Sequence, residues 1–171
     1  MSARSDEKAP PAREDGAYLL GAHDPELARL KLQHELWRQP MLELMDAAEF
    51  RPGQRLLDLG CGPGWSTLEL AQRAGPQGHV LGRDRWLRMT DAATALLRER
   101  GIGWAQIECT DAAAPLPPAS LDGAYARWLF CWMPDPLPAL RAMALALRPG
   151  GTLAIADYLH YSPELALEPS T

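Results

Sequence analysis

The sequence is short of cysteine, of long apolar runs and of basic charge, and each shortage removes a class of function. Its three cysteines, Cys61, Cys109 and Cys131, are odd in number and far apart. No CxxC pair and no Cys/His ligand spacing occurs, so neither a disulfide framework nor a zinc site is indicated, and a reducing cytoplasm is the simplest setting. No apolar run approaches the roughly 20 residues that span a bilayer. The opening stretch MSARSDEKAPPARED has no apolar core and so does not read as a secretory signal. With a net charge of −5 and a pI of about 5.3, the chain lacks the basic surplus common in nucleic-acid binders, and nucleic acid is not the expected partner. What is present is a chain of 171 residues, 47% hydrophobic and 23% charged, the balance of one folded core.

Three regions follow from composition and periodicity. Residues 1–16 are polar and proline-rich, the composition of a disordered tail. Residues 17–50 read as a helical cap or lid. There Asp24 suits an N-cap, Pro25 the first helical position and Glu26 the positive helix end. Leu27, Leu30, His34 and Trp37 fall on one stripe, Pro40 breaks or kinks the helix, and Met41–Ala48 resumes it.

From residue 51 onward strand and helix patterns alternate. Strands are expected at Arg55–Leu59, His79–Arg83, Trp104–Cys109, Leu121–Arg127 and Thr152–Asp157, and helices at Trp65–Ala74, Trp86–Arg100 and Pro136–Leu147. Connections long enough for helical crossovers imply an α/β fold, a parallel sheet with helices on both faces. Such sheets bind ligands beyond the carboxyl ends of their strands, at the switch in strand order. The residues to read are therefore 58–64, Asp84, Asp111 and 127–132.

At the first strand end stands LLDLGCGPGW, Leu56 to Trp65. Gly60, Gly62 and Gly64 make a loop that lets a ligand approach the backbone, and the loop opens a helix whose free N–H groups favour negative charge. A dinucleotide fingerprint would need G-x-G-x-x-G, but position 65 is Trp. A diphosphate would also be repelled by Asp58, whereas a cofactor carrying positive charge is favoured there. S-adenosylmethionine, with an ammonium, a sulfonium and a carboxylate, suits both the loop and the acid.

These stretches resemble the class I S-adenosylmethionine-dependent methyltransferases, which have a Rossmann-like, doubly wound, mostly parallel sheet. LLDLGCGPG looks like their first motif, VLGRDR their second-strand acidic motif, CTDAAAPLP the third, LDGAYARWLFCWMPDPLPAL the fourth with its helix, and ALRPGGTLAIADY the fifth strand. YLLGAHDPELARLKLQHELW is similar to the cap of the small-molecule enzymes of this group. The resemblance implies that Asp58 holds the methionine end and that Gly60 and Gly62 meet the methionine and sugar through their backbones. It implies that Asp84 accepts from the ribose hydroxyls, that Asp111 accepts from the adenine amino group, and that Ala112 offers a backbone N–H to the ring. Cys61, Gly64 and Arg85 lie within the same motifs and belong to the implied cofactor site. Arg127 and Trp128 would stand beside the methionine and the open cleft, and Tyr18 would close over the cofactor.

The implied activity is methyl transfer to a small-molecule acceptor, with no catalytic base and no metal assigned. Trp132 stands near the place where some relatives carry a histidine. Alternatives are a cofactor-binding pseudoenzyme or inactive fragment, a methyltransferase for a macromolecule or quinone precursor, and a nucleotide-dependent oxidoreductase. Arg83 replaces the usual apolar residue before the strand-two acid and leaves two arrangements open, an exposed strand end or a pair with Asp84. The resemblance implies seven strands, yet only 14 residues follow Asp157. The expectation is therefore five strands in a truncated chain, with strand five an exposed edge through which a homodimer could form.

Overall fold

The computed structural model describes residues 24–158, so the tail, Tyr18, and the prolines 163 and 169 lie outside the described residues. In chain order the elements are α1 (Asp24–Leu36), α2 (Arg38–Ala47), β1 (Arg55–Leu59), α3 (Trp65–Ala74), β2 (His79–Asp84), α4 (Leu87–Glu99), β3 (Ala105–Cys109), β4 (Leu121–Arg127), α5 (Leu137–Ala146) and β5 (Leu147–Ala156). A single 3-10 turn, Phe130–Trp132, follows β4. The five strands pair in parallel in the order β3-β2-β1-β4-β5. This is the expected Rossmann-like α/β sheet.

The two faces of the sheet follow from side-chain alternation along each strand. Leu56, Val80, Tyr125 and Ala154 point to one face and pack with Met41 and Met45 of α2 and Leu70, Ala71 and Ala74 of α3. Leu57, Leu59, Ala124 and Ala126 point to the other and meet Ala139, Met143 and Ala146 of α5. Two residues beyond Leu56 and Tyr125 on the first face come Asp58 and Arg127, so both polar side chains project on the side covered by α2 and α3.

Local chemistry places most boundaries. α4 ends in a Schellman arrangement, with Gly101 N–H donating to Arg98 O (3.1 Å) and Ile102 N–H to Leu97 O (2.9 Å). The cap helix breaks at Trp37, three residues before the expected Pro40. Proline has no N–H to give to the Leu36 carbonyl and its ring crowds that oxygen, so α1 stops there and Pro40 sits in the first turn of α2. The break also undoes the expected stripe: His34 is buried, Leu27 and Leu30 are half-buried, and Trp37 is exposed. The fifth strand starts earlier than expected, at Leu147, because Leu147 pairs with Leu121 before a register shift and the ladder resumes at Thr152 opposite Gly123.

Candidate functional site

The strand order reverses at β1, with β2 and β3 on one side and β4 and β5 on the other, and the candidate site lies at the carboxyl ends around that point. Asp58, near the end of β1, is 1% exposed. Its Oδ2 accepts from Ser66 Oγ (2.8 Å) and Thr67 Oγ1 (2.6 Å) in the first turn of α3, while Oδ1 is buried with no partner. Burial pushes the Asp58 carboxyl up, against the pull of the two hydroxyls and Arg127.

The glycine loop is hung from β2. Gly60 and Cys61 donate their N–H groups to Arg83 O at 2.8 and 3.0 Å. Gly62 donates to Asp84 Oδ2 at 2.9 Å, and Trp86 N–H to Asp84 Oδ1 at 3.0 Å. Asp84 O in turn accepts from Thr110 N–H (2.8 Å), so one residue joins the loops after β1, β2 and β3. Burial pushes the Asp84 carboxyl up while the backbone amides oppose it.

Two of the glycines have separate reasons. Gly62 is in the left-handed region (φ +52°), and a Cβ there would face nothing within 4 Å, so the loop leaves open space. Gly64 (φ +87°) lies against α4, and a Cβ there would be 2.8 Å from Ala93 Cβ. The first is an open turn and the second a packing contact.

The remaining sequence-derived residues divide. Cys61 is buried in the loop, and burial, with Asp58 and Asp84 nearby, pushes its thiol well up. Arg85 is exposed with its guanidinium carbon 5.2 Å from the Trp86 ring centre. Asp111 is exposed and caps its own turn, Oδ1 accepting from Ala113 N–H at 2.8 Å, with Ala112 half-buried beside it. Arg83 takes neither arrangement left open. It is 8% exposed, pairs with Glu108 Oε2 on β3 (2.8 Å) and donates to Ala114 O (3.1 Å). It thereby ties down the segment that carries Asp111.

Arg127 ends β4. Its Nη2 contacts His34 Nδ1 at 3.2 Å, its guanidinium carbon lies 4.6 Å from the Trp128 ring centre, and its Nη1 is buried without a partner. His34 stacks on Trp65 (5.9 Å between ring centres), and its Nε2 lies 3.8 Å from Glu69 Oε1. Arg38 closes on the same Glu69 at 2.5 and 3.0 Å. Sequence reading missed this Arg38–Glu69–His34–Arg127 chain. The signals available were a glutamate inside the apolar stretch of α3 and a histidine on the stripe of α1.

With this geometry in place, comparison with known proteins is direct. A family described as "Methyltransferase domain" matches residues 57–155. The nocamycin O-methyltransferase of Saccharothrix syringae is 39% identical over 123 residues, 71% of this chain and 44% of that protein. A trans-aconitate 2-methyltransferase of Rhodopseudomonas palustris is 37% identical over 126 residues, 74% of this chain and 46% of that one. Among solved structures, a SAM dependent methyltransferase from Aquifex aeolicus superimposes with a TM-score of 0.64 over 75% of this chain and 71% of that chain, at 20% identity, a likeness of fold. The chain spans about half the length of the curated relatives it matches. It belongs to the class I S-adenosylmethionine-dependent methyltransferase family.

Proposed function

We propose that the chain binds S-adenosylmethionine and carries methyl transfer to a small-molecule acceptor in the cytoplasm. The observation that carries this reading is the unpartnered, buried Asp58 Oδ1 at the end of β1, followed by the glycine loop that is open at Gly62. A buried carboxylate oxygen left alone costs about 1–3 kcal/mol, and a ligand ammonium offsets that cost.

When bound, S-adenosylmethionine supplies a methyl group on a sulfonium, already a good leaving group, to an in-line nucleophile. Asp58 holds the ammonium, Gly60 and Gly62 present backbone to the methionine and sugar, and Asp84 has lone pairs left for the ribose hydroxyls after its two amide bonds. Asp111 and Ala112 edge the adenine. α2 and α3 cover the face on which Asp58 and Arg127 project, α1 closes on Arg127 through His34, and together they exclude water from it. The cysteines near the site are not poised as bases, while His34 is an imidazole held against Arg127. Cys131 is pushed up to about 12 by burial and then by Asp157, and Cys61 is also pushed well up. Rate therefore comes from holding donor and acceptor together, which suits an acceptor already nucleophilic at neutral pH. The relatives, a nocamycin O-methyltransferase and a trans-aconitate 2-methyltransferase, support a small-molecule acceptor.

Calorimetry on the full chain tests the reading. S-adenosylmethionine and S-adenosylhomocysteine are expected to bind and NAD to fail, and Asp84→Ala to weaken the adenosyl ligands by about 1–3 kcal/mol. Preference for NAD would sink the reading. Binding without turnover on any acceptor would leave a cofactor-binding protein in place of an enzyme.

A further inference from the structure

A pocket of about 200 Å³ opens between the start of α2 and the ends of β4 and β5. Pro40, Met41 and Ala156 give it apolar walls, and Trp37 and Trp128 stand edge to face at its side, 6.0 Å between ring centres. Two polar atoms of its lining residues are buried without a hydrogen-bond partner, Tyr125 Oη and Arg127 Nη1. Buried donors are normally satisfied, and two such donors in one pocket point to a ligand that accepts from both.

The surrounding contacts hold these donors in place. Arg127 Nη2 is fixed by His34 Nδ1 (3.2 Å) and the guanidinium lies against Trp128, which leaves Nη1 as the spare edge. Trp128 itself has φ +52°, rare for an aromatic residue, and its N–H donates to Ala156 O at 2.8 Å. Strain of this kind persists where the surroundings over-determine the conformation, often beside a ligand. The one carboxylate among the described lining residues, Asp157, is turned to backbone. Its Oδ2 accepts from Phe130 N–H (2.7 Å) and Cys131 N–H (3.3 Å), and its Oδ1 from Tyr158 N–H (2.8 Å). Asp58 projects on the same face but lies outside the lining, so among the lining residues the uncommitted charge is the Arg127 guanidinium.

We propose that this pocket is the acceptor subsite and that it selects a compact carboxylic acid, whose carboxylate takes the bonds offered by Arg127 Nη1 and Tyr125 Oη. The proposal rests on the methyltransferase reading. The N-terminus of α3, which suits the cofactor's own carboxylate, lies on the β1 side after the glycine loop, whereas this pocket lies on the β4–β5 side. The volume is below the ~300–1,000 Å³ of pockets for drug-sized ligands, so the acid is a single ring or a short chain. An acid also needs no base, since a carboxylate is ionised at neutral pH.

The test uses the full chain saturated with S-adenosylhomocysteine and titrated with benzoate and benzamide, which share a shape and differ in charge. Benzoate is expected to bind at least tenfold more tightly. Arg127→Met is expected to erase that preference and Tyr125→Phe, which removes one oxygen, to reduce it several-fold, with thermal melts confirming that each variant is folded. Equal affinity for the two probes in the native chain overturns the proposal while S-adenosylhomocysteine binding, and the methyltransferase reading with it, stands. So does an Arg127→Met chain that is folded, keeps its preference for benzoate and loses S-adenosylhomocysteine, because the arginine then serves the cofactor. Failure of the native chain to bind S-adenosylhomocysteine overturns both.

Discussion

Asp58 gives one carboxylate oxygen to the fold and leaves the other without a partner. Oδ2 pins the first turn of α3 through Ser66 and Thr67, and Oδ1 is buried. Burial favours the neutral carboxyl and raises its pKa, while the hydroxyls and Arg127 favour the ionised form that an ammonium requires. Protonation therefore removes the binding charge at a higher pH than for an ordinary aspartate, near 3.9. Affinity for S-adenosylmethionine is expected to fall on acidification from neutral pH, before an exposed aspartate would titrate. Asp58→Asn should bind about 1–3 kcal/mol more weakly and show a shallower pH dependence, with the part due to Asp84 remaining. Calorimetry downward from neutral pH checks both, and a flat native profile would show that Asp58 carries no ligand charge.

Among the elements, α1 is held by charge more than by apolar burial. Its Leu32 and Leu36 are 57% and 72% exposed, while His34 and Glu26 are buried. The link from α1 and α2 to α3 is Glu69, which faces His34 and Arg38. Burial alone would push the Glu69 carboxyl up, but His34 and Arg38 outweigh it and hold it at about 2. Because the folded pKa is depressed, its contribution to stability is complete above the unfolded value of about 4.3 and is lost as pH falls from there toward about 2. Glu69→Gln is expected to cost about 1–3 kcal/mol and to flatten that acid window in denaturation curves. A helix tied down in this way suits a lid. We propose that the cap segment including α1 gains hydrogen-exchange protection when cofactor binds, and that Glu69→Gln lowers its protection without cofactor. High and equal protection in both states would make α1 a fixed strut.

For the molecule as a whole, β5 is the last strand on one side of the sheet among the described residues. No described strand pairs with its outer edge, and Ile155 there is 40% exposed. Unpaired backbone groups beside an apolar side chain favour pairing with another chain. We expect concentration-dependent self-association in sedimentation, reduced by Ile155→Lys, which sets a charge on the edge. A monomer at every concentration would show that the edge is protected.

The parallel α/β sheet, the glycine loop and the acids Asp58 and Asp84 at strand ends were legible in the chain itself. They depend on the two-residue period of strands, on the backbone freedom of glycine and on residues a few positions apart. Even Pro40 announced a break, although its exclusion of a bond to Leu36 moved that break back to Trp37. Other assignments depend on neighbours remote in sequence. Arg83 could not be placed without Glu108 and Ala114, and His34 meets Arg127 across 93 positions. Asp111 shows the limit from the other side, since its position was legible but its oxygen serves its own turn at Ala113. The sequence by itself determined which segments pair and where backbone lies open to a ligand, because local sterics and periodicity govern both. Only the tertiary structure decided which buried polar atoms are satisfied and which, like Asp58 Oδ1, Tyr125 Oη and Arg127 Nη1, are buried without a partner, because satisfaction depends on what the fold packs around each atom.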